Sequence, residues 1–522
     1  MAYTPLSKKN QHLIKKAGAR LPGIGKLIGG LYEAFVLERF LRLPKEFRNR
    51  LEPFAKAAKI SRKRIWLSLY QPDMLMVLAA SANPKTRNRF LQGLPGCSTV
   101  RIFTSEGTKF IRTLDYPAAA YWERNPAVYY HEPTDDGIQK YISVSSLGLP
   151  TAGLTGWNES GIAFSLHAHF SKKISLRGVP IFFLGESILE TAKTLQEAIE
   201  LCRRFKPIGS WALNISSFKE NKSVTVELVN GKIFVRAPDH EAGIAHANLF
   251  QSPEFQKSEL HFSGDFFEDC GARKQALENL ASEFNQNFSW EQALNRVASH
   301  IDPETGQIRI FGNTVSVVTT IQSVGFDPKA QCLYLSTRNE TPVTHGPYLK
   351  LPFDLSELNP NETPETITID NGHSETFFKA LHLYYQAYVA WQVRGEDAKI
   401  PHSYLIEASE TEPLDPHLQM QRGYFELIDG QAAGALQCFE KALLGELSAH
   451  HYQVALYFRG ACHDLLGQRD LARKDYQMIL AFRQVDEKLG IKAKKRLNRP
   501  FKATYCKRIE PDLQFVEPIN YP

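Results

Sequence analysis

The hydrophobic period of this chain changes twice, and the two changes limit it to a layered body between helical ends. Over residues 31–92 apolar residues recur every three or four positions, as in LYEAFVLERFLRL and LEPFAKAAKI. That spacing predicts helices with one buried stripe. Ser61 is placed to cap the helix through RIWLSLYQPDMLMVLAA, and Pro72 should kink or interrupt it. At Cys97 the period becomes two. CSTVRIFTS and TKFIRTLDY flank Glu106-Gly107-Thr108, and KSVTVELV and KIFVRA flank Asn230-Gly231. Both are hairpin signals. AVYYHEP and IQKYISVSS flank Asp136-Gly137, and GIAFSLHAHF alternates as a half-buried strand does.

Helical stretches interrupt these strands. In ESILETAKTLQEAIELCRRF, Thr194 and Glu197 form a capping-box pattern ahead of Leu195, Ile199 and Cys202. A second stretch lies near WEQALNRVASHI, and strands return in TVSVVTTIQSVGF and QCLYLST. Antiparallel strands broken by helix pairs predict stacked sheets covered by helices, an α+β fold. The length, 522 residues, exceeds one ordinary core. We divide the chain into a helical leader (1–96), a strand-rich domain (97–350), a polar, Pro-containing linker (351–373), a helical domain (374–500) and a tail (501–522).

The helical domain carries an internal repeat. RGYFELIDGQAAGALQCFEKAL aligns with RGACHDLLGQRDLARKDYQMIL at an offset of 37, matching Gly423 with Gly460, Gly430 with Gly467, Ala435 with Ala472, and Phe439 with Tyr476. Small residue, turn glycine, alanine and then an aromatic resembles the tetratricopeptide repeat. Two repeats are few for such an array, so docking on the preceding domain or recruitment of SETFFKALHLYYQAYVAW is expected, and a protein partner is a natural use.

Charge and cysteine usage exclude several classes. The net charge, 62 − 56 = +6, is mild for this size and gives no case for nucleic acid. Seven cysteines without a CxxC spacing argue against a disulfide framework and a structural zinc site. A reducing, cytoplasmic setting is the simpler expectation. No apolar run is long enough for a membrane span, though the basic start (Lys8, Lys9, Lys15, Lys16, Arg20, Lys26) would allow weak contact with an anionic surface. No P-loop, HExxH or GxSxG motif occurs, so no cofactor or metal is expected.

Chemistry concentrates at LPGCSTVRIFTSEGTKFIRTLDYP (94–117). A thiol attacks carbonyls well when a base takes its proton, and no histidine follows at a papain-like spacing. Cleavage between Gly96 and Cys97 would create the base: the new α-amine, with a reference pKa of about 7.7–8.0, would sit beside its own sulfur. Gly96 adds no side-chain bulk at the scissile carbonyl.

GCST, IRTLDYP, GLTGWNESGIAF, VPIFFLGESILETAKTLQEAIELC and IAHANLFQSPEF together resemble the N-terminal-nucleophile hydrolases of the acyl-CoA:6-aminopenicillanate acyltransferase group (peptidase family C45), distant relatives of choloylglycine hydrolase. FAKAAKIS resembles the helix preceding the nucleophile. The resemblance covers residues 97–340 and implies an αββα sandwich. It implies Cys97 as nucleophile with its α-amine as base, Asp115 holding that amine, Arg112 favouring the thiolate, and Asn248 as an oxyanion donor. His167 stands where choloylglycine-type relatives place an Asn, and would serve as second donor only in a suitable tautomer. The implied substrates are linear amides or acyl-CoA-type thioesters. The rival expectation is a non-enzymatic scaffold whose helical repeats bind a partner.

Overall fold

The protein is described by a computed structural model at residues 45–82, 96–116, 122–133, 136–146, 151, 153–238, 241–260, 262, 264–359 and 361–522. The basic N-terminal stretch and the expected helix at 31–43 lie outside the described residues.

The leader supplies α1 (Lys45–Ala57) and α2 (Arg62–Ser81), the latter starting directly after Ser61. Pro72 does not interrupt α2, contrary to expectation. The next residue, Asp73, is fully buried and accepts hydrogen bonds from Gly209 N (3.0 Å), Trp211 Nε1 (2.8 Å) and Ile181 N (3.3 Å). These tertiary bonds hold the helix across the site where proline removes an internal one.

Two seven-stranded antiparallel sheets follow. The strands are β1 (Gly96–Thr104), β2 (Gly107–Asp115), β3 (Pro126–His131), β4 (Tyr141–Ser146), β5 (Thr155–Asn158), β6 (Ile162–His169), β7 (Ser210–Ser217), β8 (Lys222–Val229), β9 (Lys232–Arg236), β10 (Gly243–His246), β11 (Thr320–Asp327), β12 (Cys332–Ser336), β13 (Tyr348–Pro352) and β14 (Thr366–Ile367). One sheet has the order β10-β1-β2-β11-β12-β13-β14, and the other runs β3 to β9 in sequence. Gly107 turns β1 into β2 with φ +103°, and Asn230 and Gly231 (φ +50° and +77°) turn β8 into β9. Two consecutive positive φ values match the right-handed twist of a tight hairpin.

Most strands are buried on both faces. Phe110, Val324 and Phe326 meet Ile142, Val144 and Trp157 between the sheets. Outside the first sheet, Val100 and Ile102 pack on α6 (Gly264–Phe284) and α7 (Trp290–Val297), through Leu277, Leu280 and Leu294. Outside the second, Phe164, Leu213 and Ile215 pack with α2, α3 (Phe182–Thr191) and α4 (Leu195–Arg204). A short helix, α5 (Pro253–Gln256), lies before α6. The fold is therefore α+β, helices over two stacked sheets. Thr194 caps α4, accepting from Glu197 N at 3.2 Å, while Glu197 Oε2 accepts from Lys193 N.

The stretch 351–373, expected as a linker, contributes the end of β13 and all of β14, which pairs with β13. Beyond it lie α8 (Glu375–Tyr388, running into a π-helical stretch at Val389–Arg394), α9 (Lys399–Thr411), α10 (Pro416–Ile428), α11 (Ala432–Leu444), α12 (Ala449–Leu465), α13 (Arg469–Ala481), α14 (Glu487–Asn498) and α15 (Ala503–Cys506). Gly430 and Gly467 turn the two matched hairpins with φ +80° and +76°. A Cβ on Gly423 would meet Phe439 at 2.8 Å, and one on Gly460 would meet Tyr476 at 2.8 Å. The 37-residue offset thus marks equivalent close approaches. A second core joins these helices to the sandwich: Phe311 stacks on Tyr384 at 4.3 Å, and Asp415 Oδ2 accepts from Ile310 N at 2.7 Å.

Candidate active site

Alternation along β1 and β2 sorts the site onto two faces. Cys97 pairs with Leu114 and Thr99 with Arg112, and these residues face the second sheet. Gly96 pairs with Asp115, whose side chain lies toward α6. A Cβ on Gly96 would stand 3.1 Å from Asp115 Oδ2, so the glycine lets the carboxylate approach the bond preceding Cys97.

The sulfur of Cys97 receives a hydrogen bond from Arg112 Nη2 at 3.6 Å. Arg112 also donates to Gln322 Oε1 (3.0 Å) and Leu166 O (3.5 Å). Burial pushes the Cys97 thiol up, and Asp115 adds to this; Arg112 and Arg273 oppose it, and the result is about 11. Arg112 acts in the expected direction, favouring the thiolate, but desolvation of Cys97, only 2 % exposed, outweighs it. The uncut chain therefore holds a neutral thiol.

The backbone amide of Cys97 donates to Asn248 Oδ1 at 2.9 Å. The β1–β10 ladder ends at Thr99 and His246, so a side chain continues where strand carbonyls stop. The Asn248 amide nitrogen donates to Ala168 O at 2.9 Å, which leaves its second hydrogen for another acceptor. Asp115 accepts from Thr320 Oγ1 at 2.7 Å and is buried, which raises its pKa against the opposing pull of Arg273, Thr320 and Arg112.

Both ring nitrogens of His167 are occupied. Its Nδ1 lies 3.1 Å from Ala247 O and its Nε2 lies 2.7 Å from Thr99 Oγ1. Burial keeps the ring neutral. A carbonyl only accepts, so Nδ1 carries the hydrogen and Nε2 accepts from the threonine. Its one N–H is spent, and the structure gives His167 no hydrogen to offer an oxyanion. His169 pairs with His246 (Nε2 to Nε2, 2.8 Å), and among the described residues no group of three or more His, Cys, Asp or Glu is arranged to hold a metal ion.

Sequence reasoning missed Arg273. From α6 its Nη1 reaches Cys97 O (2.9 Å), Ser98 Oγ (3.0 Å) and Asn248 Oδ1 (3.4 Å), and it lies 3.8 Å from Asp115 Oδ2. Asp269 holds its Nε at 2.9 Å. Burial would lower the Arg273 pKa, but Asp269, Cys270 and Asp115 outweigh it, so the guanidinium stays charged. The i, i+4 spacing of Asp269 and Arg273 was visible, yet such pairs occur on many solvated helices.

A cavity opens at Cys97. Its walls are largely apolar: Pro72, Leu114, Trp122, Leu154, Phe182, Trp211 and Ile321, with Gln71, Ser145 and Gln322 as polar points. Gln71 and Pro72 come from the leader, so the segment before the nucleophile forms part of the wall.

Residues 102–341 match the sequence model of the acyl-coenzyme A:6-aminopenicillanic acid acyl-transferase family. The match begins just after Cys97 and covers less than half of the chain. The central segment is similar to that family in sequence, and its two stacked antiparallel sheets under helices make an α+β sandwich. Among solved structures, a Caenorhabditis elegans N-acylethanolamine-hydrolyzing acid amidase ortholog is 17% identical, with 45% of this chain and 93% of that one covered and a TM-score of 0.33. Penicillin V acylase from Agrobacterium tumefaciens is 14% identical, covering 52% and 84%, with a TM-score of 0.23. No curated protein matches. Among the described residues no helix is long and apolar enough to cross a membrane.

Proposed function

We propose that the chain is a precursor of a cysteine-dependent amidase or acyltransferase whose nucleophile, Cys97, becomes an N-terminus. The observation that carries this reading is the hydrogen bond from the Cys97 amide to Asn248 Oδ1 at 2.9 Å. It holds the nitrogen that would become the α-amine, with Arg112 on the sulfur and Asp115 beneath Gly96.

In the first stage Cys97 Sγ attacks the Gly96 carbonyl. The C–N bond breaks, the thiol proton passes to the leaving amine, and water then hydrolyses the thioester. In the second stage the free α-amine takes the thiol proton. The ammonium so formed favours the thiolate beside it. The sulfur attacks the substrate acyl carbon, the leaving amine or thiol departs with the proton, and the thioester passes its acyl group to water or an amine. Asn248 uses its remaining amide hydrogen on the oxyanion. The apolar cavity suits the acyl part of a linear amide or an acyl-CoA-type thioester.

Intact mass and N-terminal sequencing of the purified chain beside Cys97→Ala test this reading. Two fragments, one beginning at Cys97 and absent from the variant, are expected, with acyl-amide hydrolysis lost alongside. An uncut chain that nonetheless turns over such amides would remove the α-amine base. An uncut chain without turnover would leave the helical repeats as its working part.

A further inference from the structure

An irregular segment late in the chain is held against the helical domain by its backbone. Residues 511–517 form neither helix nor strand, yet their backbone is held by side chains. Gln421 Nε2 donates to Asp512 O (2.9 Å) and Phe515 O (2.7 Å), Tyr384 OH to Leu513 O (2.9 Å), and Trp391 Nε1 to Pro511 O (3.0 Å). Gln392 donates to Asp512 Oδ1 at 3.0 Å and accepts from Leu513 N at 2.5 Å. Asp512 Oδ1 also accepts from Gln514 N at 3.0 Å, an aspartate turn. Leu513 and Val516 are fully buried among the helices. Side chains gripping backbone carbonyls, with apolar anchors three residues apart, are how a groove reads a peptide.

We propose that the face of α8 and α10 over which this segment lies is a peptide-binding groove, filled in cis by residues 511–517, and that it accepts in trans a turned peptide of the pattern Asp-Leu-x-x-Val-Glu. The segment also reaches the candidate active site. Asp265, in the first turn of α6, accepts from Val516 N (2.6 Å) and Glu517 N (2.9 Å). Two turns further on, the same helix carries Arg273 against Cys97 O. Occupancy of the groove therefore bears on the first turn of α6 through Asp265; the consequence for turnover rests on the function proposed above, and the binding does not.

The test uses the full-length chain and a fluorescein-labelled peptide copying residues 510–522. The wild type takes up no label, because its own segment competes at an effective concentration in the millimolar range or above. The Leu513→Asp/Val516→Asp chain binds the label, and adding Gln421→Ala weakens that binding at least tenfold. Saturating peptide changes the alkylation rate of Cys97 in the double variant at least threefold. A folded double variant that binds no label overturns the groove, and an unchanged alkylation rate overturns its link to Cys97. Should the double variant not fold, hydrogen exchange on the wild type decides. Amides of Leu513, Val516 and Glu517 must exchange by local opening, faster than those of α10 and α12; exchange only with global unfolding would make the segment ordinary core. Label uptake without amidase turnover would fault the proposed activity and leave the groove standing.

Discussion

Two guanidiniums reach Cys97 and do different work. Arg112 touches the sulfur, while Arg273 ties its carbonyl to Asn248 and Asp269. A lysine at position 273 keeps the charge but cannot span these partners. Arg273→Lys is expected to slow the proposed cleavage at Gly96–Cys97 by about 10- to 100-fold, read by gel densitometry; Arg112→Lys should instead move the pH profile of Cys97 alkylation upward. Asp73 gives a second prediction. Burial raises its pKa from 3.8 to about 6, against the bonds from Trp211, Gly209 and Ile181. A raised folded value means that its contribution to stability is complete below 3.8 and lost as pH rises through about 6, a difference of roughly 3 kcal/mol. Melts between pH 4 and 7 should show this loss, and Asp73→Asn should flatten it. At this scale the sequence singled out Cys97, Arg112, Asp115 and Asn248 because each stands in a compact local motif. Arg273 lies 176 positions from Cys97, and only the return of α6 across β1 brings them together. The tautomer on which a donor role for His167 depends was out of reach for a related reason: it is set by Ala247 and Thr99, on two other segments.

Among the elements, the strands with clean alternation and the helices with capping residues were legible, because period and caps are local properties. Pro72 and the 351–373 stretch were not. One helix survives its proline through bonds to residues 108 to 138 positions away. The other segment gains a two-residue strand, too short to show any period. The repeat was readable since the small residues that permit a close helix crossing recur with it. Gly423→Ala and Gly460→Ala push a methyl into Phe439 and Tyr476, and each should cost about 1–3 kcal/mol, measured by urea denaturation. Gly434→Ala, whose Cβ would meet only the carboxylate end of the Glu426 side chain, is the control and should cost clearly less.

Across the whole molecule the two cores are joined at Ile310 and Phe311 and by the segment that ends at α6. His450, on α12, pairs with Glu517 at 3.0 Å. Burial would lower its pKa, but the hydrogen bond and charge of Glu517 prevail, with Asp265 and Glu268 adding to them, and raise it from 6.5 to about 9. Its contribution to stability is thus complete below pH 6.5 and disappears as pH rises through about 9. The thermal midpoint should fall between pH 7 and 10, and His450→Gln should lessen the fall. Such a pairing was invisible in the sequence, since it joins a repeat helix to a segment without period. One further consequence comes from the cysteines. All seven are free and buried, and Cys97 alone borders the cavity. On the proposed function, a small haloacetamide therefore acts as a titrant: the moles incorporated per mole of chain count the competent fraction of any preparation before a single substrate is known.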